Sequence, residues 1–375
     1  MKNLRRVMHF TPYFPPHAGW LEMYVQEWSS QYVQRWWDVC VVTLSPGQWG
    51  RVSREENGVK IIVLPAYDII SGFPLPLFFL PSFWRELREA KKWSPEIIHT
   101  HTRFFLSSFL WGIFAKSLSL PWIHIEHGSG FVVSNKKIVE QVSRLYDETL
   151  WRWTLRHTSR VITVSKMCEK FVRESFSVQD VETIYRWILP THSSVLRDEN
   201  DISIGYVGRL VDLKWVDILI QSFAKSLWEY EGEKRVTLKI VWDGTERESL
   251  EKLVLSLWIQ NLVVFLGKRD ILEVREKLLP SFHIFVNPSL QEGLPTTVIE
   301  ALVAGCRVIA TDVGGTKEIH ERFPFVLVPS SDIDALAQAL LWFLRESDMR
   351  VFHPDASFFS WDETFEKFSA IYKEI

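Results

Sequence analysis

The chain has 375 residues, enough to bury two sizeable cores, so two domains are the prior expectation. Its hydrophobic (47%) and charged (24%) fractions are those of an ordinary globular protein, and a net charge of −3 leaves no electrostatic footprint for nucleic acid. The three cysteines, Cys40, Cys168 and Cys306, are scattered and lack metal-site spacing, which argues against a disulfide scaffold and points to a reducing compartment.

At the N-terminus Arg5 and Arg6 precede a short run broken by Pro12, Pro15 and Pro16, so no cleavable signal is expected. Apolar, β-branched runs predict strands at Arg6–Phe10, Val39–Leu44, Lys60–Leu64, Ile97–His101, Trp122–Glu126 and Arg160–Val164, with helical patterns between them. Ile69 to Trp84 is the most membrane-like stretch, but Pro74, Pro76 and Pro81 leave it too short and too broken to span a bilayer. A loop is the plainer reading; a segment resting on a membrane surface or lining an acceptor groove is the other. Residues 190–201 are polar and aperiodic and read as a linker. Beyond them strands are predicted at Ile202–Val207, Thr237–Val241, Leu262–Leu266, Ile284–Val286, Arg307–Ala310 and Phe325–Val328. From Phe358 to Ile375, aromatic residues recur at helical spacing. The alternation predicts an α/β protein of doubly wound, Rossmann-like domains with parallel sheets and ligands at strand C-terminal ends: 1–189, 190–357, and a final helical segment 358–375.

Residues 288–305 carry the most chemistry. Glu292 and Glu300 bracket seven residues, with Gly293 and Pro295 close behind the first. Pro295 suits the first turn of a helix, where its missing N–H costs nothing. Thr296 and Thr297 then fall where free amides and the positive end of the helix dipole favour an anion, with Glu300 a turn further on.

This segment resembles the E-x7-E region of the retaining glycosyltransferases of family 4, which have the GT-B fold. The resemblance continues in Gly205-Tyr-Val-Gly-Arg-Leu-Val-Asp-Leu-Lys214, in Arg307-Val-Ile-Ala-Thr-Asp-Val-Gly-Gly315 and in Pro15-Pro-His-Ala-Gly19, four motifs in the family's order. It implies two domains facing a central cleft, with the final helix crossing back onto the N-terminal domain. It also implies a donor site in which Arg209 and Lys214 contact the diphosphate and Glu300 binds the ribose hydroxyls. Glu292 then sits near the transferred sugar, beside Gly293, Leu294, Thr296 and Thr297. Gly19, with Trp20 in the usual place of a second glycine, forms the N-terminal loop that reaches the diphosphate. Asp243 and Gly244 lie near the base. His127, before Gly128, meets the sugar or acceptor, with His17 and His101 as weaker candidates. The plainer readings are a solvated cation pair for Arg209 and Lys214, a helix-terminal acid for Glu292, and a structural strand-end histidine for His127. A dipole-favoured acid explains Glu300 poorly, because Val298, Ile299, Ala301 and Leu302 surround it.

The family analogy implies transfer with retained anomeric configuration, by a front-face route in which the departing phosphate helps deprotonate the acceptor. With no Asp-x-Asp in a suitable loop, cations and helix dipoles are expected to serve the diphosphate without a metal, and no cofactor beyond the donor is called for. The expected partners are a nucleotide-sugar and a glycan, lipid-linked or small-molecule acceptor, in the cytoplasm or at the inner membrane face. A nucleotide-sugar 2-epimerase of the same fold is the competing enzyme class.

Eighteen tryptophans are many for this length, and 17 glycines are few where about 26 are usual. Trp20, Trp36, Trp187, Trp215, Trp242 and Trp258 stand where the family pattern has glycine. Glycine serves such sites through positive φ or close backbone approach, and an indole offers neither. The expectation is that UGA codons read here as tryptophan are decoded as glycine in the source organism, whereas Trp122 and Trp361 fit their apolar settings. The alternative is a genuine variant whose donor loop is plugged by Trp20, a non-catalytic nucleotide-sugar-binding protein.

Overall fold

The computed structural model describes residues 5–17, 19–46, 53–70, 73–103, 106–133, 137–188, 197–198, 200–346, 355 and 357–375. Of the expected linker, residues 190–196 and 199 lie outside the described residues, as does Ala18 of the N-terminal loop, and Asp201 already opens a strand. Two compact units are present. One comprises Met1–Val164, Cys168–Ile184 and Ser369–Ile375; the other comprises Ser165–Met167 and Tyr185–Phe368.

The first unit is built on β1 (Arg6–Thr11), β2 (Asp38–Pro46), β3 (Arg54–Glu56), β4 (Val59–Ile70), β5 (Phe73–Pro76), β6 (Ile97–His101), β7 (Trp122–Glu126), β8 (Arg160–Thr163) and β9 (Val181–Thr183). They pair in the order β3-β4-β2-β1-β6-β7-β8-β9, with β5 also on β4. Only β3 and β5 run antiparallel to their neighbour β4. β2 is buried along its whole middle, as a parallel strand covered on both faces must be. One face packs Met8, Phe10, Val42, Ile62, Leu64 and Ile98 against Phe83, Trp111 and Trp122. Gly112 makes room for the Trp122 ring, which a Cβ there would meet at 2.0 Å. The Trp122 indole donates to Thr100 Oγ1 at 2.8 Å.

Where a loop was expected after residue 69, the chain instead forms β5 and then a helix, Pro81–Lys92. Pro74 and Pro76 are tolerated because β5 pairs only with β4, and Pro81 takes the first helical turn.

The second unit carries β10 (Asp201–Val207), β11 (Arg235–Val241), β12 (Val263–Gly267), β13 (Ile284–Asn287), β14 (Arg307–Thr311) and β15 (Val326–Val328). All are parallel, in the order β12-β11-β10-β13-β14-β15. Gly205 in β10 admits the Phe282 ring, which a Cβ would meet at 2.0 Å. Every strand expected from the sequence is present within two residues of its expected ends, except that β4 runs on six residues past the expected Leu64 to Ile70, where it pairs with β5; the short β3, β5 and β9 carried too few residues to show a period. The final helix spans Trp361–Glu374. Its residues from Ser369 onward group with the first unit, where the Tyr372 hydroxyl lies 3.0 Å from His99 Nε2.

Four tryptophans hold a left-handed backbone: Trp36 (φ 65°), Trp215 (44°), Trp242 (110°) and Trp258 (58°). For so bulky a residue this is a genuine outlier. Two of them occupy the position just past a helix end where glycine is the common solution. After helix Trp20–Gln34, the amides of Trp36 and Trp37 bond the carbonyls of Val33 and Tyr32. After helix Arg247–Ser256, those of Trp258 and Ile259 bond Leu255 and Val254. Both indoles are thrown into solvent, 75% and 85% exposed. Trp20 and Trp187 differ: neither backbone is left-handed, and Trp187 is buried edge-on against Trp361 at 4.3 Å. At positions 36 and 258 a glycine variant should be more stable than the alanine variant by about 1 kcal/mol, because only alanine retains the left-handed penalty. At Trp342, inside helix Ile333–Arg345, the order should reverse by about the same amount. Urea midpoints of the six variants check this; one common ordering at all three sites would contradict it.

Candidate active site

In the second sheet the chain moves outward from β10 to β11 and β12, then returns to the other side of β10 as β13. This reversal leaves the C-terminal ends of β10 and β13 side by side with their loops parting, which is where an open α/β sheet has room for a ligand. The two richest motifs occupy these loops.

Beyond β10, Arg209 is exposed and its side chain makes no ion pair or hydrogen bond with the described residues; the Tyr206 hydroxyl donates to its carbonyl at 3.1 Å. Lys214 ends the short 3-10 turn Asp212–Lys214, and Trp215 then turns the chain into helix Val216–Trp228. Beyond β13, Glu292 is held by several donors. Its Oε1 accepts from Lys214 Nζ at 2.5 Å, from Ser289 Oγ at 2.6 Å and from Asn287 Nδ2 at 3.4 Å. The Leu290 amide donates to Leu213 O at 2.9 Å, so backbone and side chains together tie the loops. Lys214 carries three N–H donors, more than this one carboxylate oxygen uses.

Helix Thr296–Val303 starts beside this knot without a side-chain cap. Thr296 and Thr297 are half-exposed, and amides in a first turn have no intrahelical acceptor. The Gly293 carbonyl is pinned by the Gly315 amide (3.0 Å) and Ser165 Oγ (2.9 Å), which fixes the approach to the helix; Leu294 follows, half-exposed. Glu300 is buried, and its Oε1 accepts from Arg275 Nε at 2.9 Å and Nη2 at 2.8 Å. A partner from another helix is what lets a carboxylate sit among Val298, Ile299 and Leu302. Arg275 was invisible in the sequence, which has no spacing rule linking it to Glu300. The loop after β11 joins the same end of the sheet: the Leu210 amide donates to Asp243 O and Glu246 N to Leu210 O. Asp243 Oδ1 accepts from Gly244 N at 2.9 Å, and both residues are exposed. Gly244 lies so close to Leu210 that a Cβ would meet its carbonyl oxygen at 2.1 Å.

The remaining candidates belong to the first unit, where the order reverses between β1 and β6. Gly19 has an extended backbone that any residue adopts, and a Cβ there would meet the Glu22 carboxylate, the movable end of a flexible side chain, at 2.4 Å. Trp20 opens the helix and is 38% exposed, with its ring edge-on to His127 at 4.9 Å. His127, past β7, also meets Tyr24 at 5.0 Å and His101 at 6.0 Å. His17 Nδ1 lies 2.6 Å from Glu22 Oε1. The Gly128 amide donates to Glu126 Oε1 at 2.6 Å, and Glu126 in turn faces Arg103 at 3.5 Å. Arg103 also pairs with Asp147 at 3.2 Å. All three side chains are almost wholly buried. Burial pushes Asp147 up, whereas in Glu126 the His124 hydrogen bond and Arg103 outweigh burial and hold it low. This buried network under the His127 turn was not legible in the sequence.

Two Rossmann-like units, with cations and an uncapped helix start at a sheet's switch point, are the architecture of GT-B glycosyltransferases, and the family matches assign the class. The chain belongs to the glycosyl transferases group 1: residues 201–346 match the model of that description, and residues 21–187 match that of a glycosyl transferase 4-like domain. An uncharacterized glycosyltransferase of Methanocaldococcus jannaschii, MJ1069, is 25% identical over 100% of both chains. The gpi3 component of the Schizosaccharomyces pombe phosphatidylinositol N-acetylglucosaminyltransferase is 24% identical over 97% of this chain and 79% of its own. Among solved structures, sucrose-phosphate synthase from Thermosynechococcus elongatus superposes with a TM-score of 0.80 at 20% identity, covering 99% and 98% of the two chains. Anabaena Alr3699/HepE in complex with UDP and glucose reaches 0.76 at 16% identity, covering 99% and 100%.

His9, His99 and His101 gather their ring nitrogens within 4.8 Å of one another. His9 Nδ1 lies 3.0 Å from His101 Nε2, and His99 Nε2 faces Tyr372, so these atoms satisfy one another. Burial holds all three below the usual histidine range, His99 at about 3. Unfolded histidine takes up protons below about pH 6.5, whereas these folded rings do not. Stability is therefore full above about pH 6.5 and drains as the pH falls, each ring contributing up to about 1.4 kcal/mol per pH unit. His99→Gln should flatten the loss between about pH 7 and pH 5 in denaturant melts; unchanged slopes would assign the loss to other groups.

Proposed function

We propose that this glycosyltransferase moves a hexose from a UDP- or GDP-linked donor to a glycan, lipid-linked or small-molecule acceptor, with retention, in cell-envelope polysaccharide or glycolipid synthesis. The observation that carries the reading is the tie between the loops after β10 and β13, Lys214 Nζ to Glu292 Oε1 and Leu290 N to Leu213 O, with Arg209 exposed in the first loop and the uncapped Thr296–Thr297 turn following the second. Three sources of positive potential at one switch point suit a diphosphate whose charge grows as the glycosidic bond breaks. The complex of Anabaena Alr3699/HepE with UDP and glucose supports the donor class.

In this reading Arg209 and Lys214 stabilise the departing diphosphate and stand in for a metal. Arg209 presents a planar fork to the phosphate oxygens, and Lys214 adds a point charge. Glu292, held by Ser289 and Lys214, accepts from the hydroxyls of the transferred sugar. Glu300 contacts the donor ribose once it is shared with, or released from, Arg275. Gly293 and Leu294 bring backbone to the phosphates, Asp243 and Gly244 border the base, and His127 with the Gly19–Trp20 turn addresses the sugar or acceptor. One phosphate oxygen of the leaving group takes the acceptor proton as the new bond forms on the same face. Removing the Lys214 charge (Lys214→Gln) should lower kcat/KM about 100-fold and leave folding intact. Nucleotide release from UDP- and GDP-sugars, with and without EDTA, measures this. Full activity of Lys214→Gln, or activity lost to EDTA, would contradict the assigned roles.

The same reading includes recoding: the active polypeptide carries glycine at 36, 215, 242 and 258, and by the family pattern at 20 and 187. The left-handed backbones of Trp36, Trp215, Trp242 and Trp258 favour it over a genuine plugged variant. Two of them flank the donor residues, Trp215 after Lys214 and Trp242 before Asp243. Peptide mass spectrometry of the protein from its native source should find glycine at these four positions. Tryptophan there would leave the non-catalytic reading in place, and a thermal shift with UDP and GDP, before and after restoring glycine, would then show whether the site still binds donor.

A further inference from the structure

Helix Pro81–Lys92 turns Phe83 and Ala90 inward and leaves Pro81, Trp84, Arg85, Arg88, Lys91 and Lys92 exposed. Helical spacing aligns Trp84, Arg88 and Lys91 in one stripe, with Arg85 and Lys92 along its edge. Just before the helix, Phe78 and Phe79 are 43% and 76% exposed, and Trp84 is 51% exposed. The aromatics are organised rather than loose. The Phe78 ring packs on Phe83 at 5.0 Å, and its carbonyl accepts the Trp84 indole N–H at 2.6 Å. The helix's two carboxylates are already engaged, Glu86 by Ser53 and Arg85, Glu89 by Lys92. Arg88 and Lys91 make no ion pair among the described residues.

We infer that this face docks the protein on an anionic phospholipid surface. Exposed aromatic rings suit the headgroup boundary, and unpaired cations beside them suit the negative surface potential of an anionic leaflet. Charge decides the occupant: a second copy would bring the same basic face and be repelled. Of the apolar stretch that the sequence suggested, the surface keeps Phe78, Phe79 and Trp84 and adds the cations of the helix, because β5 takes up Phe73–Pro76 and Phe83 is buried. No helix among the described residues is long and apolar enough to cross a membrane, so contact here is interfacial. The inference extends the acceptor side of the proposed function without depending on catalysis. Donor binding reports on the β10 and β13 loops and vesicle binding on this helix, so each fails alone.

The full-length protein is sedimented with vesicles of phosphatidylcholine alone and of phosphatidylcholine mixed with phosphatidylglycerol. Partition should favour the anionic vesicles and vanish at high salt. Arg88→Gln with Lys91→Gln should reduce it about 25-fold, roughly fivefold for each charge removed. Phe79→Ser should reduce it as well, and all variants should keep the parent melting temperature. Equal binding to neutral vesicles, no binding, or variants that bind like the parent would overturn the inference. So would self-association that these substitutions abolish without any vesicle binding, which would give the face to a second copy.

Discussion

The second unit depends on one topological constraint: β10 and β13 lie side by side in the sheet while their following loops must part. A parallel strand delivers its chain to the same edge as its neighbour, and a reversal of order leaves that edge uncovered. Everything chemical in this unit follows from how the opening is held. The Glu292 carboxylate gathers donors from both sides of it, Lys214 from the β10 loop and Asn287 and Ser289 from the β13 loop. One oxygen anchors the geometry, which leaves Arg209 and the start of helix Thr296–Val303 facing outward with capacity unspent.

Buried charge is handled by the same economy. Glu300 is tolerated in the core because Arg275 reaches it with two N–H groups, and Arg103 sits between two carboxylates in the first unit. Removing one partner of such a pair costs far more than the pair itself contributes, since the survivor is left unsolvated. These networks are therefore better read as devices for position than as sources of stability. The Glu126 carboxylate, for example, fixes the amide that follows His127. The histidines of β1 and β6 are the neutral counterpart, packed as uncharged rings.

The tryptophans divide by backbone rather than by burial alone. Trp28, Trp122 and Trp151 fill the core as large rings should. Trp36 and Trp258 occupy left-handed turns with their indoles in water, gaining neither packing nor relief of strain. Such a residue is costly in its own conformation and mostly exposed, so burial does not offset the cost. Trp20 and Trp187 lack that backbone signature, so for them the family pattern stands alone.

The sequence by itself determined the alternation of strand and helix, because apolar periodicity and turn chemistry are local. It also displayed two local motifs, Arg209 with Lys214 and Glu292 with the helix start at Thr296, since the members of each lie at short separations along the chain. Glycine-like positions were legible for the same reason, as each is a property of one peptide unit. Only the tertiary structure decided who pairs with whom. Arg275 with Glu300, Arg103 with Glu126 and Asp147, and Lys214 with Glu292 join elements far apart in sequence, and no periodicity encodes such distances. It also decided that residues 73–92 form an edge strand and an amphipathic helix. An apolar run interrupted by prolines has no intrinsic preference; its pairing with β4 and the burial of Phe83 supplied one.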